Sequence, residues 1–446
     1  MKKLLAITAM AIVLVVFYAC QPTPTTMDRS SYGSLEIKDD ADNVRCEQHL
    51  ELDDDIQLVI SASVIEPKGD FHKGNLVWQA IDSSFVEKVS RALSTNSIYY
   101  KALETRSELT SAITTYCNQL DLVRDKLSSE DVRMLEGIIS NMQTALTDSL
   151  ETEPVITLDD VMVETEAKIQ TGEKNKAVLV IGNSNRKKFI RITNFRWKDI
   201  MTDQPVSSTI SNEAALQNAS GILQKLGLAN EFSLAAIKST SSEYTLVANI
   251  ANQSGIGNYQ ADKRIELVFS RSIGGQNQVF SQQIEDGTTG REYDETVFWE
   301  LIKMEFDNNG LVEFVWQQPC SVTLDPEEIH PIDLTTAVNA MCQFMSNSQN
   351  QYVYSPLGID PRKITITVDK IELGMTCIIG PDKTFLSIPV WEFYGNVAYV
   401  DDNGDIKYVS LSGLNAGQIS DEPEVYNSLC TINALTGKRI DRTQGY

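Results

Sequence analysis

Between Val297 and Pro319 the chain reads VFWELIKMEFDNNGLVEFVWQQP, and no other stretch restricts the fold as tightly. Ile302, Met304 and Phe306 alternate with charged residues before an Asn-Asn-Gly turn, and Val312, Phe314 and Trp316 carry apolar positions beyond it. A period of two marks a strand with one buried face, and the turn makes the two runs an antiparallel hairpin. A three-residue loop, Asn308-Asn309-Gly310, with Gly310 in the left-handed position, sets Phe306 opposite Val312, Met304 opposite Phe314 and Ile302 opposite Trp316. A two-residue loop mixes the faces on this reading, so three residues are expected. A hairpin with one apolar face needs other elements to cover it.

Those elements are legible in part. IQLVISASVIEP (Ile56–Pro67) and GNLVWQAI (Gly74–Ile81) read as strands, and SSFVEKVSRAL follows as a helix capped by Ser83 or Ser84. Leu109, Ile113, Tyr116, Leu120, Val123 and Leu127 form a helical seam, as do Val132, Leu135, Ile138, Ile139, Met142 and Leu146. Ser128 with Asp131 resembles a capping box between them, so residues 105–148 are expected to form a long hairpin of two antiparallel helices. Strands return from Val161 to Trp197 about a turn at Asn183-Ser184-Asn185. The polar stretch TDQPVSSTISN (202–212) reads as a linker. Beyond it come a helix at Ala214–Leu226 stopped by Gly227, strands in SEYTLVANI and KRIELVFSRSI, and the hairpin. A second helix, with Val338, Met341, Cys342 and Met345 on one face, is followed by more strands. The expected class is α+β, built of helix-plus-antiparallel-sheet units with the helical hairpin inserted. The expected order is an N-terminal domain at 36–201 and units at 213–320 and 333–446.

The N-terminus has another logic. Lys2 and Lys3 precede the apolar run Leu4–Ala19, which is shorter than the ~20 residues of a membrane-spanning helix and ends at small Ala19 before Cys20. Residues 1–19 therefore read as a secretory signal. Phe17-Tyr18-Ala19-Cys20 resembles a bacterial lipobox, with Phe17 where Leu is usual. That resemblance implies cleavage before Cys20 and a diacylglycerol on its thiol, with acyl chains such as palmitate. Two chains hold where one holds only marginally, because each buried CH₂ contributes about 0.8 kcal/mol. Residues 20–35, rich in Pro, Thr and Ser, then read as a tether. The alternative is an ordinary secreted protein in which Cys20 is incidental.

Composition narrows the partners. A formal net charge of −23 repels nucleic acid and anionic headgroups, so membrane attachment is expected through the lipid alone. Six cysteines remain besides Cys20, an even number that permits disulfides, but their wide spacing and the absence of CxxC favour free buried thiols.

VDKIELG (Val368–Gly374), IPVWEFYG (Ile388–Gly395) and INALTGKRID (Ile432–Asp441) resemble the closing segment of uncharacterised Gram-positive, Clostridia-type lipoproteins, as does ACQPTP at the cleavage site. The ending Asn-Ala-x-Thr-Gly is also similar to PepSY-like domains. The first resemblance covers most of the chain and the second about the last 80 residues, and neither brings catalytic residues. Core packing and turn geometry would select Pro389, Trp391 and Gly437 in any case.

Chemistry is sparse. HExxH, GxSxG and a P-loop are absent, no motif requires a cofactor, and no catalytic residue is assigned. Glu327, Glu328, His330 and Asp333 in DPEEIHPID can be read as a metal site or as an acidic surface loop. DDNGD (Asp401–Asp405) lacks the EF-hand glycine and reads as a hairpin turn. SGIGN (254–258) has the wrong spacing for a dinucleotide fingerprint. The expected function is protein–protein contact at the outer face of the cell membrane, in envelope sensing, regulation or assembly, with a membrane protein as a partner and enzymatic activity not favoured. The rival readings are a solute-binding lipoprotein and an envelope hydrolase.

Overall fold

The structure, a computed structural model, describes residues 35–441 except 41–42, 54–55, 94–98, 102–105, 125–128, 150–154, 162–165, 172–176, 184–186, 195–209, 242–262, 282–298, 347–363, 381–383, 402 and 410–418. Helices and strands are mixed, with strands in the majority. The chain forms two compact units, one drawn from residues 1–67, 330–373 and 390–440, the other from 68–329, 374–389 and 441–446. The consecutive order expected from the sequence, 36–201, 213–320 and 333–446, does not describe these units. Long-range strand pairing is the reason. Gly310–Gln317 pairs with Lys188–Asn194, so segments on either side of the polar stretch 202–212 share one sheet. Ile56–Ile65 pairs in parallel with residues 364–372, some 300 positions away. Closing a long loop costs only slightly more than closing a short one, so local sequence leaves such pairings unannounced.

The larger unit is built on a nine-stranded antiparallel sheet. Its order is Phe232–Ser241, Lys263–Arg271, Leu301–Asp307, Gly310–Gln317, Lys188–Asn194, Ala177–Asn183, Glu166–Thr171, Tyr99–Lys101 and Val155–Ile156. Alternation along each strand sends Leu267, Phe269, Ile302, Met304, Phe314 and Trp316 to one buried face. Helices Ser83–Ala92 and Asn212–Leu226 cover that face with Val86, Val89, Ala219 and Leu223. Each large side chain buried here contributes roughly 1.5–3 kcal/mol. The first helix is capped by Asp82, not Ser83 or Ser84: its carboxylate accepts the Phe85 N–H at 2.9 Å and the Ser84 hydroxyl at 2.9 Å. Ser211 caps the second by accepting the Ala214 N–H, and Gly227, at φ +74°, ends it.

The hairpin departs from the expected register at its tip. Ile302 faces Trp316 and Met304 faces Phe314, but Phe306 faces Leu311 and Asp307 faces Gly310. The loop is therefore the two residues Asn308-Asn309, and a bulge between the Glu305 and Phe306 pairings leaves Val312 as the extra residue. The bulge restores the faces that a plain two-residue loop would mix. Asp307 steadies the tip by accepting the Asn309 N–H at 2.7 Å. Arg106–Val123 and Ser129–Thr147 are also helices of this unit, and Arg124 Nη1 donates to Glu136 Oε1 at 2.8 Å. Ser128 and Leu127 lie outside the described residues.

The other unit carries strands Glu36–Asp40, Asn43–Asp53, Ile56–Ile65, Ile406–Val409, Ile419–Ser420, Ser428–Asn433 and Arg439–Ile440. Ile364–Ile379 and Phe385–Val400 contribute residues to both units. Helix Leu334–Met345 buries Val338, Met341 and Cys342, and Asp333 caps it through the Thr336 N–H at 2.8 Å. Buried Trp391 donates its indole N–H to the Ile332 carbonyl at 2.8 Å. Any side chain at Gly395 would run into the Thr367 carbonyl, and the strand geometry there depends on glycine. Asp401 closes the next turn, accepting N–H groups from Asn403 and Asp405 at 2.9 Å each, as expected of a plain hairpin turn.

Candidate functional site

The four metal candidates, Glu327, Glu328, His330 and Asp333, are not gathered into a metal-binding group. Glu327 and Glu328 are exposed at the end of strand Cys320–Ile329, His330 is exposed, and the Asp333 carboxylate is engaged as a helix cap. No group of three or more His, Cys, Asp or Glu among the described residues is arranged to hold a metal ion. Hydrogen bonds from the Phe85 and Thr336 N–H groups hold the Asp82 and Asp333 carboxyls below the usual range. Cys20 lies outside the described residues, as does SGIGN.

The cluster with chemical character lies elsewhere, in the larger unit, where two core rows end. Phe269 faces Ile302 on the neighbouring strand, so continuing both rows by two residues brings Arg271 to Glu300. Arg271 Nε donates to Glu300 Oε2 and Nη2 donates to Oε1 at 3.1 Å, a two-pronged pair. Glu300 is 2% exposed, and it accepts three more hydrogen bonds: from Trp316 Nε1 at 3.0 Å, the Cys320 N–H at 3.1 Å and Cys320 Sγ at 3.0 Å. Five donors and one full positive charge offset the cost of burying this carboxylate.

Local sequence builds the donors. In WQQP, Gln317 donates to the Trp299 carbonyl at 3.1 Å, and Gln318 adopts φ +48° while its N–H bonds the Lys188 carbonyl at 2.7 Å. Its side-chain oxygen accepts the Lys188 N–H in return. The clamped turn aims the Cys320 N–H at Glu300.

Arg271 also links the cluster to the surface. Its ring-facing side lies 4.8 Å from the Phe232 ring centroid, and Nη1 donates to Glu231, which is half exposed. Burial alone would lower the guanidinium pKa, but the hydrogen bonds and charge of Glu300 raise it above the ordinary value, so Arg271 stays cationic. Beside it opens a cleft of about 370 Å³, lined by Glu231, Arg271, Ser272, Ser321, Val322 and Leu324 among others. One wall is the turn Ile273–Gln276, which takes Gly274 and Gly275 to φ +60° and +85°.

Burial first, and the Glu300 charge second, push the Cys320 pKa far up, so the group remains protonated. All six described cysteines are free, five of them buried. In the other unit burial pushes Cys46 to about 11 and Cys342 and Cys430 to about 12. The cleft is thus lined by a fixed guanidinium, a half-exposed carboxylate, two serines and the apolar residues Ile273, Val322 and Leu324.

Sequence reading missed Arg271, Glu300 and Glu231. A signal existed for the first two, since each occupies a core-facing position at the end of an apolar alternation.

No family model matches the chain, and no curated protein matches it. Among solved structures it is similar to the crystal structure of an uncharacterized protein from Eubacterium rectale, at 10% identity, with 89% of this chain and 93% of that chain covered and a TM-score of 0.39. A likeness at that level carries no argument about activity.

The residues behind the sequence resemblance are occupied structurally. Asn433 Oδ1 accepts N–H groups from Leu435 at 2.8 Å and Thr436 at 3.2 Å, and Gly437 closes the turn at φ +68°. A Cβ on Gly374 would lie 2.8 Å from the Asn277 carbonyl oxygen.

Proposed function

We infer that the protein is a lipid-anchored, extracytoplasmic member of the Clostridia-type lipoproteins, acting by protein–protein contact in envelope sensing, regulation or assembly. The observation that carries this reading is the N-terminal run, in which Lys2 and Lys3 and then sixteen mostly apolar residues ending in Ala19 lead directly to Cys20. In this reading the two helices within 105–148 form one long hairpin that presents a partner surface. The closing segment around Asn433–Gly437 serves as a PepSY-like unit. The acidic body stays clear of anionic headgroups while the acyl chains hold the N-terminus.

Cell fractionation and intact mass test the anchor. The mature protein is expected in membranes with a diacylglycerol on Cys20, and a soluble mature form starting elsewhere ends the reading. Cross-linking in living cells from positions after 213, with Cys20→Ala as control, tests the contact. A specific membrane partner captured by the wild type and lost in the control supports it.

A second reading, a solute-binding lipoprotein, is favoured by one observation, the cleft beside Arg271 and Glu231. The third, an envelope hydrolase, would require loss of an activity on His330→Ala.

A further inference from the structure

The groups around the cleft have uneven remaining capacity for hydrogen bonds. A guanidinium offers five N–H donors, and Arg271 commits three: Nε and one on Nη2 to Glu300, and one on Nη1 to Glu231. Among the described residues, one donor on each of Nη1 and Nη2 has no acceptor. Glu300 has no comparable surplus, because both of its oxygens already accept from Arg271, Trp316 and Cys320. Its role is to fix the guanidinium, which therefore needs no ordering when a ligand arrives. Glu231 differs. Its Oε2 takes the Arg271 proton, while Oε1 accepts no hydrogen bond among the described residues.

Two opposite charges thus line the cleft side by side, Arg271 about one-tenth exposed and Glu231 half exposed, each with bonding capacity that no described residue takes up. A lone anion approaching Arg271 meets the Glu231 carboxylate, and a lone cation approaching Glu231 meets Arg271. A molecule carrying both charges meets each with its opposite. We propose that this cleft binds a small zwitterion, an amino acid or a very short peptide, whose carboxylate is held by Arg271 and whose ammonium is held by Glu231. The cleft's size of about 370 Å³ is at the small end of ligand pockets, which suits a ligand of one to three residues. Val322, Leu324 and Ile273 supply an apolar wall for a side chain, and Ser272 and Ser321 also line the cleft.

The inference deepens the solute-binding reading and is independent of the anchor and of any partner protein. Its test uses purified protein, whereas those readings are tested in cells, so each can fail alone. The full-length chain in detergent is titrated calorimetrically with glycine and diglycine, and with acetate and methylammonium as single-charge controls. Saturable binding of at least one zwitterion is expected, with both controls about tenfold weaker or more. Glu231→Gln, at a half-exposed position that the fold tolerates, is expected to weaken zwitterion binding about tenfold or more. Leu324→Trp, exposed on the same wall, is expected to block it. The proposal is overturned if neither zwitterion binds saturably, if acetate or methylammonium binds as tightly, or if Glu231→Gln or Leu324→Trp leaves the affinity unchanged.

Discussion

Two regions of the molecule satisfy polar groups in opposite ways. At the Arg271–Glu300 pair, side chains from three strands and the turn after them converge on one buried carboxylate, and the network continues through Glu231 to an open cleft. In the closing segment Asn433 caps its own turn, Trp391 bonds the Ile332 carbonyl, Gly395 lets two backbones approach, and the buried Glu392 carboxylate accepts the Thr431 hydroxyl at 2.8 Å on the neighbouring strand. The second region is the one the sequence marks by resemblance, yet its marked residues are committed to the fold. The first went unmarked and carries the unspent binding capacity. A motif residue whose bonding is closed locally is evidence of architecture, while a buried charge with a route to solvent is evidence of a site.

Glu300→Leu is expected to break this contrast most severely. It leaves a buried guanidinium with half-exposed Glu231 as its remaining counter-charge, and removing one partner of a buried pair costs about 3–5 kcal/mol. Urea denaturation measures the loss, and the double variant Glu300→Leu with Arg271→Met is expected to recover most of it. Full stability in the single variant would show that the pair is not a structural anchor. Gly395→Ala comes next, at about 1–3 kcal/mol, because the new methyl meets the Thr367 carbonyl and the strands must part. A neutral result in thermal melts would remove the architectural reading of the closing segment.

Asp333→Ala is expected to cost about 1 kcal/mol through loss of the helix cap. The pH dependence sharpens it. Hydrogen bonding lowers the folded-state pKa of Asp333 below its unfolded value, so this stabilisation is complete above the unfolded pKa and lost as pH falls through the folded one. Asp333→Asn should keep the cap at neutral pH and flatten that acid limb in a series of melts. The smallest effect belongs to Glu231→Gln. A half-exposed partner contributes about 0–1 kcal/mol, so the fold is expected to stand while ligand affinity falls. A large loss of stability would merge the cleft mouth with the structural core and erase the distinction.

What was legible followed from local chemistry. The helix expected at Ala214–Leu226 was readable from its amphipathic period and the stop at Gly227, because such signals act within a few residues, while its cap Ser211 fell inside the stretch read as a linker. The hairpin arms are readable for the same reason. Its tip was misread because a single bulged residue, Val312, trades a tighter turn for a kink, and alternation alone does not distinguish the two outcomes. Asp82 was passed over as a cap in favour of the neighbouring serines, although all three are good cap residues and only the backbone angle of one decides.

By itself the sequence determined the mixed helix and strand class, most elements, and the free and buried character expected of the cysteines. Each rests on neighbours along the chain or on composition. Tertiary structure alone decided which strands pair, how two units draw on interleaved stretches, and that Glu231, Arg271, Glu300 and Cys320 meet beside one cleft. The physical reason is that strand pairing and charge burial are settled by contacts among segments tens to hundreds of residues apart. Their free energies depend on which faces meet, and that information is spread over the whole chain.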